Sequence, residues 1–257
     1  MKEVEFQLSS RRVLKRDMPE HYCELSPRQY LAVAGLSKGW VKEDEFFCQF
    51  FDITSDVLAR IDTFQLYVLT DGLDFLKQSE PMEGVIIDYI FARTERGTVR
   101  LEAPENRLNG MTFFQFITVD QLYNWYQYTE NKDFLYGMIA SLYLGVGEQL
   151  EKVERSERID AIRKQPGNSD EVLDALAMQW ALVKLWLAKS YTFLFEGGSA
   201  THSADTPKKE KPQSWLAVFD ALVGDDLTRI ESYKNLAAMD VLRIVNRRIK
   251  EQQKRKK

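Results

Sequence analysis

The residues best suited to bind a metal ion are two histidines and two cysteines: His21, Cys23, Cys48 and His202. Zinc sites use thiolate and imidazole ligands at short, recurrent spacings such as Cys-x-x-Cys or His-Glu-x-x-His. None of the four residues stands in such a pattern. We therefore predict no metal site and no cofactor, and we expect a buried thiol and an exposed histidine.

Two short motifs have the residue types of phosphate binding and acid–base catalysis. Gly145-Val146-Gly147 precedes Glu148, but a dinucleotide-binding loop needs a third glycine and a preceding strand. Asp225-Asp226 is a carboxylate pair, but adjacent residues point apart on a helix and suit its N-terminus. The chain has no Walker sequence and no Gly-x-Ser-x-Gly elbow. These patterns predict glycines that interrupt or end a helix, aspartates that cap one, and a protein that is not an enzyme.

The charge of the chain is unevenly distributed. The formal net charge is −4, yet residues 241–257 carry +7, which leaves −11 for the rest. Such a tail can bind nucleic-acid phosphates through counterion release, or it can complement a helix C-terminus or keep the chain soluble. The second interpretation is favoured because no aromatic residues alternate with the cations to stack on bases. The candidate nucleic-acid contacts are Arg243, Arg247, Arg248, Lys250, Lys254 and Arg255.

Aromatic residues are crowded into positions 113–128, which hold more rings than one face of one helix can bury in a monomer. Tyr and Trp are enriched at protein interfaces. We therefore predict a surface that binds another protein, with self-association as a further possibility. Its candidate residues, with two from a later predicted helix, are Phe113, Phe114, Tyr123, Trp125, Tyr126, Trp215 and Phe219.

Length and composition indicate a globular protein. The chain has 257 residues, of which 44% are hydrophobic and 29% charged, so it can bury a large core without disulfides. No run approaches the roughly 18 apolar residues of a membrane span, and the first residues lack a signal sequence. We expect a cytoplasmic protein without a membrane partner.

The hydrophobic periodicity predicts a mostly α fold, a multi-helix bundle with a small antiparallel β element. In the first half we expect a strand over 4–8, a basic linker over 11–16, a helix over 27–37 capped by Ser26, and an apolar helix over 42–51. Two further helices are expected over 56–61 and 64–77. A β-hairpin over about 85–101 turns at Gly97 and pairs with the first strand or packs on helices.

In the second half, a capping box at 118–121 predicts a helix start, and helical pattern resumes over 134–144. The charged stretch 148–163 predicts a solvated helix or an extended arm. The apolar periodicity over 170–195 predicts the longest helix. Ser214 caps a short helix, and the last helix starts near 237. The resulting division is a helical domain 1–196, a flexible loop or linker 197–213, and a C-terminal helical segment 214–257.

The order of these elements resembles a known class of phage proteins. The opening Leu25-Ser26-Pro27-Arg28-Gln29-Tyr30, the run of short helices, and the closing helix with Trp215, Phe219 and Leu222 before Asp226-Leu227-Thr228 resemble tail assembly chaperones of tailed bacteriophages. The resemblance implies a non-enzymatic protein that binds another virion component, such as a tape-measure protein, in the host cytoplasm or the virion. A connector or ring protein, and a nucleic-acid-binding accessory protein, are the alternatives.

Overall fold

The computed structural model describes residues 1–9, 12–195, 215, 218–219, 223 and 230–255. In this part the chain is mostly helical with two antiparallel two-stranded sheets, which confirms the predicted fold class. The predicted linker 197–213, the Ser214 cap, His202 and the Asp225-Asp226 pair lie outside the described residues.

The chain opens with a β-hairpin of β1 (Lys2–Ser9) and β2 (Arg12–Met18). The predicted basic linker over 11–16 is therefore wrong for residues 12–16. The basic residues suggested an exposed linker, but Arg16 lies on the inner side of the strand. Its guanidinium donates to the backbone oxygens of Phe51 and Asp52. A strand can thus carry basic residues when the neighbouring loop offers carbonyl acceptors.

Four short helices follow: α1 (Pro27–Ser37), α2 (Glu43–Phe50), α3 (Ser55–Leu58) and α4 (Thr63–Gly72). α1 has the predicted bounds because Ser26 and Gln29 form a reciprocal capping box. α4 is shorter than predicted, because Leu73 leaves the α-helical conformation and a 3₁₀ turn, Asp74–Lys77, follows.

The predicted apolar helix α2 packs on α1 and α3, and the first hairpin contacts Phe51 just after its end. Phe46, Phe50 and Phe51 are buried, and the Phe6 ring of β1 meets Phe51 edge-on with centroids 5.4 Å apart. Aromatic pairs favour this edge-to-face geometry. The first hairpin is therefore joined to the aromatic core of the N-terminal half at Phe51.

The second hairpin consists of β3 (Tyr89–Thr94) and β4 (Gly97–Glu102), with Gly97 at a φ of +124° in the turn. This hairpin is shorter than predicted because the backbone of Ile87 bonds to side chains instead of to a neighbouring strand. The Ile87 N–H donates to the Gln179 side chain and its C=O accepts from the Tyr143 hydroxyl, so neither group is free for a strand ladder. The two hairpins form separate sheets, and the second packs on helices.

The next helices are α5 (Phe113–Thr129) and α6 (Lys132–Leu142). The predicted start of α5 at Thr118 is wrong, because the N-cap is Thr112, whose hydroxyl accepts from the Gln115 N–H. The same Thr-x-x-Gln spacing occurs at 112–115 and at 118–121, and only the first one caps the helix.

The charged stretch forms a 3₁₀ turn and then α7 (Arg155–Arg163), so the helix alternative is confirmed for 155–163 and is wrong for 148–154. α8 (Asp170–Ser190) is the central helix of the core, and Leu176, Trp180 and Val183 on it are fully buried. The predicted helix over 170–195 breaks at Tyr191, after which α9 (Thr192–Phe195) begins.

Two helices close the described chain, α10 (Ile230–Lys234) and α11 (Ala238–Arg255). The start of α11 is tied to the start of α5, because the Phe113 N–H donates to the Leu236 C=O and the Ala238 N–H to the Met111 C=O. Val241, Leu242 and Val245 of α11 lie in the same hydrophobic core as the first 195 residues. The C-terminal segment thus packs on the preceding helices.

Candidate protein-binding surface

The predicted partner-binding residues on α5 are divided by their burial. Phe113 is fully buried and stacks near Phe116, so its prediction as a partner contact is wrong. Its ring faces the core because the first turn of α5 is enclosed by the segment before α11. Phe114, Tyr123, Trp125 and Tyr126 are half-buried and keep part of their surface in solvent.

Trp215 and Phe219 contact α5 in the same chain. The Trp215 ring packs edge-on against Phe116 at 5.2 Å between centroids, and Phe219 stacks on Phe113 at 6.3 Å. The Trp215 indole Nε1–H also donates to Oδ2 of Asp120 at 2.7 Å. The structure therefore shows an intramolecular contact for both rings, which were predicted to bind a partner.

Asp120 is the centre of a buried polar cluster. Its carboxylate lies 2.9 Å from the Lys184 ammonium and accepts a hydrogen bond from the Asn124 amide, while Lys184 also donates to Asn124. The Lys184 ammonium also lies 5.0 Å from the centroid of the Tyr123 ring. Burial, reinforced by the Asp120 charge, raises the pKa of Tyr123 to about 12. Two donors hydrogen-bond to Oδ2, and the Lys184 ammonium forms an ion pair with Oδ1, as expected of a structural ion pair.

A cleft of about 640 Å³ lies between the second hairpin, the loop after α6 and α7. Gly147 in this loop has a φ of +75°. The prediction that these glycines interrupt or end a helix is wrong, because α6 ends at Leu142 with the extended Tyr143 as its C-cap. Glu148 in the cleft accepts from Arg158 and from the Gly145 N–H, both at 2.6 Å. Burial raises the pKa of Glu148, but these two bonds outweigh burial and hold the pKa below its usual value. Glu148 and Arg158 in the cleft thus neutralise each other.

α4 presents the most exposed aromatic side chains among the described residues. Asp62 caps it by accepting from the Gln65 N–H, and Leu69 and the following Leu73 are buried against the body. On the opposite side Phe64, Tyr67 and Val68 are 75%, 69% and 52% exposed. These three residues, spaced i, i+3 and i+4, share one face, which we name the α4 stripe.

The α4 stripe is bordered by carboxylates. Asp71 continues the same helix face one turn after Tyr67 and Val68, and Asp62 and Asp74 flank the helix at its two ends. All three side chains are exposed, and Asp74 pairs with Lys77 at 2.6 Å. The helical spacing of the stripe was visible in the sequence, but the side that stays uncovered is set by the packing of the surrounding elements.

The basic residues predicted as nucleic-acid contacts all lie exposed on α11. Arg243 pairs with Asp240 at 2.9 Å, and the Lys250 ammonium lies 5.3 Å from the centroid of the Phe193 ring. The other four, which we name the α11 basic face, form no ion pair within the described part of the chain. They are Arg247, Arg248, Lys254 and Arg255.

The candidate metal ligands are dispersed where the structure shows them. Cys23 is exposed and Cys48 is half-buried, so the buried thiol that we expected is incorrect for Cys23. His21 is exposed, as expected of one histidine, and its Nδ1 lies 3.5 Å from Glu80. Within the described ranges, no three or more His, Cys, Asp or Glu side chains are grouped so that they could hold a metal ion.

Comparison with models of known protein families finds no match to this chain, and comparisons with curated proteins and with solved structures find none either. Among the described helices, none is both long and apolar enough to cross a bilayer. The exposure and the geometry of the α4 stripe are therefore the basis for a functional proposal.

Proposed function

We propose that this chain acts by binding another protein through the α4 stripe, in a non-catalytic assembly role. The observation that carries the proposal is the exposure of Phe64, Tyr67 and Val68 on one side of one helix. Single exposed apolar residues are common on protein surfaces, but grouped ones are typical of interaction sites.

The form of the α4 stripe suits recognition by a protein partner. Anchors at i, i+3 and i+4 are the pattern by which a helix face contacts another helix or a groove. Tyrosine is enriched among the residues that dominate binding energy, because its ring buries a large area with few rotatable bonds. Leu69 on the buried side fixes the orientation of α4, so the rings remain available to a partner.

The resemblance to tail assembly chaperones supports a virion component as the partner. The first residues that carry this resemblance have structural roles in this chain: Ser26 caps α1, and Leu25 and Tyr30 are buried in the core. These residues stabilise the fold of this chain, and the α4 stripe is the surface that would contact the partner. A connector or ring protein is the second form of the same assembly role.

Co-purification tests the proposal directly. The tagged full-length chain is expressed in the cells that normally make it, as wild type and as Phe64→Ser/Tyr67→Ser. A partner protein is expected with the wild type and at least tenfold less of it with the variant. Tyr89→Ser/Phe91→Ser is the matched control, because it removes two rings that are 40% and 42% exposed on the second hairpin.

Equal recovery of partner proteins with the wild type and the Phe64→Ser/Tyr67→Ser variant would overturn the proposal. Circular dichroism melting of the three proteins separates loss of binding from loss of structure. The α4 substitutions are expected to change the free energy of unfolding by less than about 0.5 kcal/mol, since both rings are exposed.

A further inference from the structure

The end of α11 extends beyond the body of the protein. Val241, Leu242 and Val245 bury one side of the helix, and Ile249 is its last half-buried residue. Lys250 is exposed but lies over the Phe193 ring, and every residue from 251 to 255 is exposed, which corresponds to about 7.5 Å of helix beyond the last tertiary contact. Because isolated helical turns are marginal in water, this end is stabilised when another surface packs against it.

The α11 basic face has a regular spacing. Arg247 and Lys254 are seven residues apart, as are Arg248 and Arg255, so each pair repeats after about two helical turns. The first pair lies opposite Val245, and the second lies about 100° further round the helix. The two pairs together form a cationic strip about 10 Å long. Such a strip fits a surface of similar length that offers aromatic rings and carboxylates.

The α4 stripe has this length and this chemistry. Phe64 and Asp71 on α4 are also seven residues apart, so the run from the first ring to the carboxylate covers about 10 Å. Arginine stacks favourably on exposed aromatic faces. Asp71 then provides negative charge at the far end of the run, while the neighbouring Asp74 is paired with Lys77.

We propose that the α4 stripe of one copy of this chain receives the α11 basic face of a second copy. The inference rests on the proposed function, because it names the partner of the same surface. Arginines of α11 lie over Phe64 and Tyr67, and the remaining cations face the carboxylates beside the stripe. The charges of the two surfaces are opposite and their lengths match.

This contact joins two different surfaces, so a single contact leaves one surface free on each copy, from which a reciprocal two-fold pair, a ring or an open chain can form. Two aromatic rings contribute about 300 to 500 Å², which is less than the roughly 800 Å² per partner of a stable interface. The association is therefore weak at a single contact, depends on protein concentration, and weakens as salt screens the charges.

Light scattering on the purified full-length chain over a range of concentrations tests the proposal. The wild type is expected to associate at low salt, and Phe64→Ser/Tyr67→Ser and Arg247→Glu/Arg248→Glu are each expected to associate at least tenfold more weakly. A one-to-one mixture of the two variants is expected to form a heterodimer. The first variant retains the α11 basic face, and the second retains the α4 stripe. Arg93→Glu/Arg96→Glu, a charge reversal at the exposed end of β3 and the turn that follows it, is the matched control and associates like the wild type.

Three results would overturn the proposal: a wild type that stays monomeric at every concentration, variants that associate as the wild type does, or a mixture that fails to restore the pair. If association disappears after nuclease treatment, α11 binds nucleic acid instead of a second copy of the chain, and this result also overturns the proposal. A monomeric wild type that still loses its co-purified partner in Phe64→Ser/Tyr67→Ser refutes self-association alone and leaves the proposed function in place.

Discussion

The indole Nε1 of Trp215 lies 2.7 Å from Oδ2 of Asp120, whose side chain is only 4% exposed to solvent. The same carboxylate faces the Lys184 ammonium at 2.9 Å. One buried acid therefore connects α5, α8 and the chain at residue 215. Because the two residues are 95 positions apart, this contact fixes part of the C-terminal region onto the helical core.

Replacing Asp120 by Asn is expected to lower the free energy of unfolding by about 3 kcal/mol, because Lys184 loses the partner of a largely buried charge. Urea denaturation measures the change. Asp133→Asn is the matched control, since Asp133 is 73% exposed and pairs with Arg163 on the surface. That control is expected to change stability by less than about 1 kcal/mol. Equal losses in the two variants would contradict the role given to Asp120.

Replacing Trp215 by Phe retains an aromatic ring but removes the indole N–H. The expected loss is about 1 to 3 kcal/mol, the range for a hydrogen bond to a charged group. In the Trp215→Phe/Asp120→Asn double variant the two effects should be less than additive. Strict additivity in denaturation experiments would mean that the two side chains act independently.

Local signals in the sequence predicted much of the helical structure. The Ser26 capping box gave the bounds of α1, and the apolar rhythm of α8 identified the central helix, because caps and periodicity are properties of neighbouring residues. β2 was missed because its inward Arg16 is satisfied by carbonyls 35 and 36 residues away.

The candidate surface could be predicted less well than the fold. The aromatic surplus indicated a binding protein, but the rings of Phe113 and Trp215 pack inside the chain. The helical spacing of Phe64 and Tyr67 predicts a shared face equally well for a buried and for an exposed stripe. Only the tertiary packing around α4 decides that this face stays in solvent.

A buried network around Tyr143 provides a second test of the core. Its hydroxyl donates to the Ile87 C=O and accepts from the Gln179 amide, each at 2.7 Å. Tyr143→Phe leaves both partners unpaired in the core, with an expected loss of about 1 to 3 kcal/mol in thermal or urea unfolding. Tyr128→Phe on the surface should cost less than about 0.5 kcal/mol. If Tyr143→Phe leaves the free energy of unfolding unchanged, the network contributes nothing to stability.

Alkaline pH is expected to destabilise the protein. Burial raises the pKa of Tyr30, Tyr123 and Tyr143, in the case of Tyr123 to about 12 from an ordinary value near 10. The unfolded chain loses these protons first, so the stabilisation is fully present below about pH 10 and is lost as pH rises towards 12. Circular dichroism and tyrosinate absorbance follow the transition together.

The Tyr123→Phe variant is the matched comparison for this titration. It lacks one of the groups with a raised pKa, so its stability should fall less steeply between about pH 10 and 12. The difference at the upper end is expected to approach about 2 to 3 kcal/mol. An identical pH profile for the wild type and the variant would argue against the burial of this phenol.

Photocrosslinking at position 67 tests the binding role of the α4 stripe most directly. The photoreactive amino acid p-benzoylphenylalanine replaces Tyr67 in the full-length chain made in its native cells, and replaces Tyr128, which is 37% exposed on α5, in the control. We expect a discrete light-dependent adduct with a protein at position 67 and none at 128. No adduct at position 67, or the same adducts at both positions, would contradict a protein-binding role for α4.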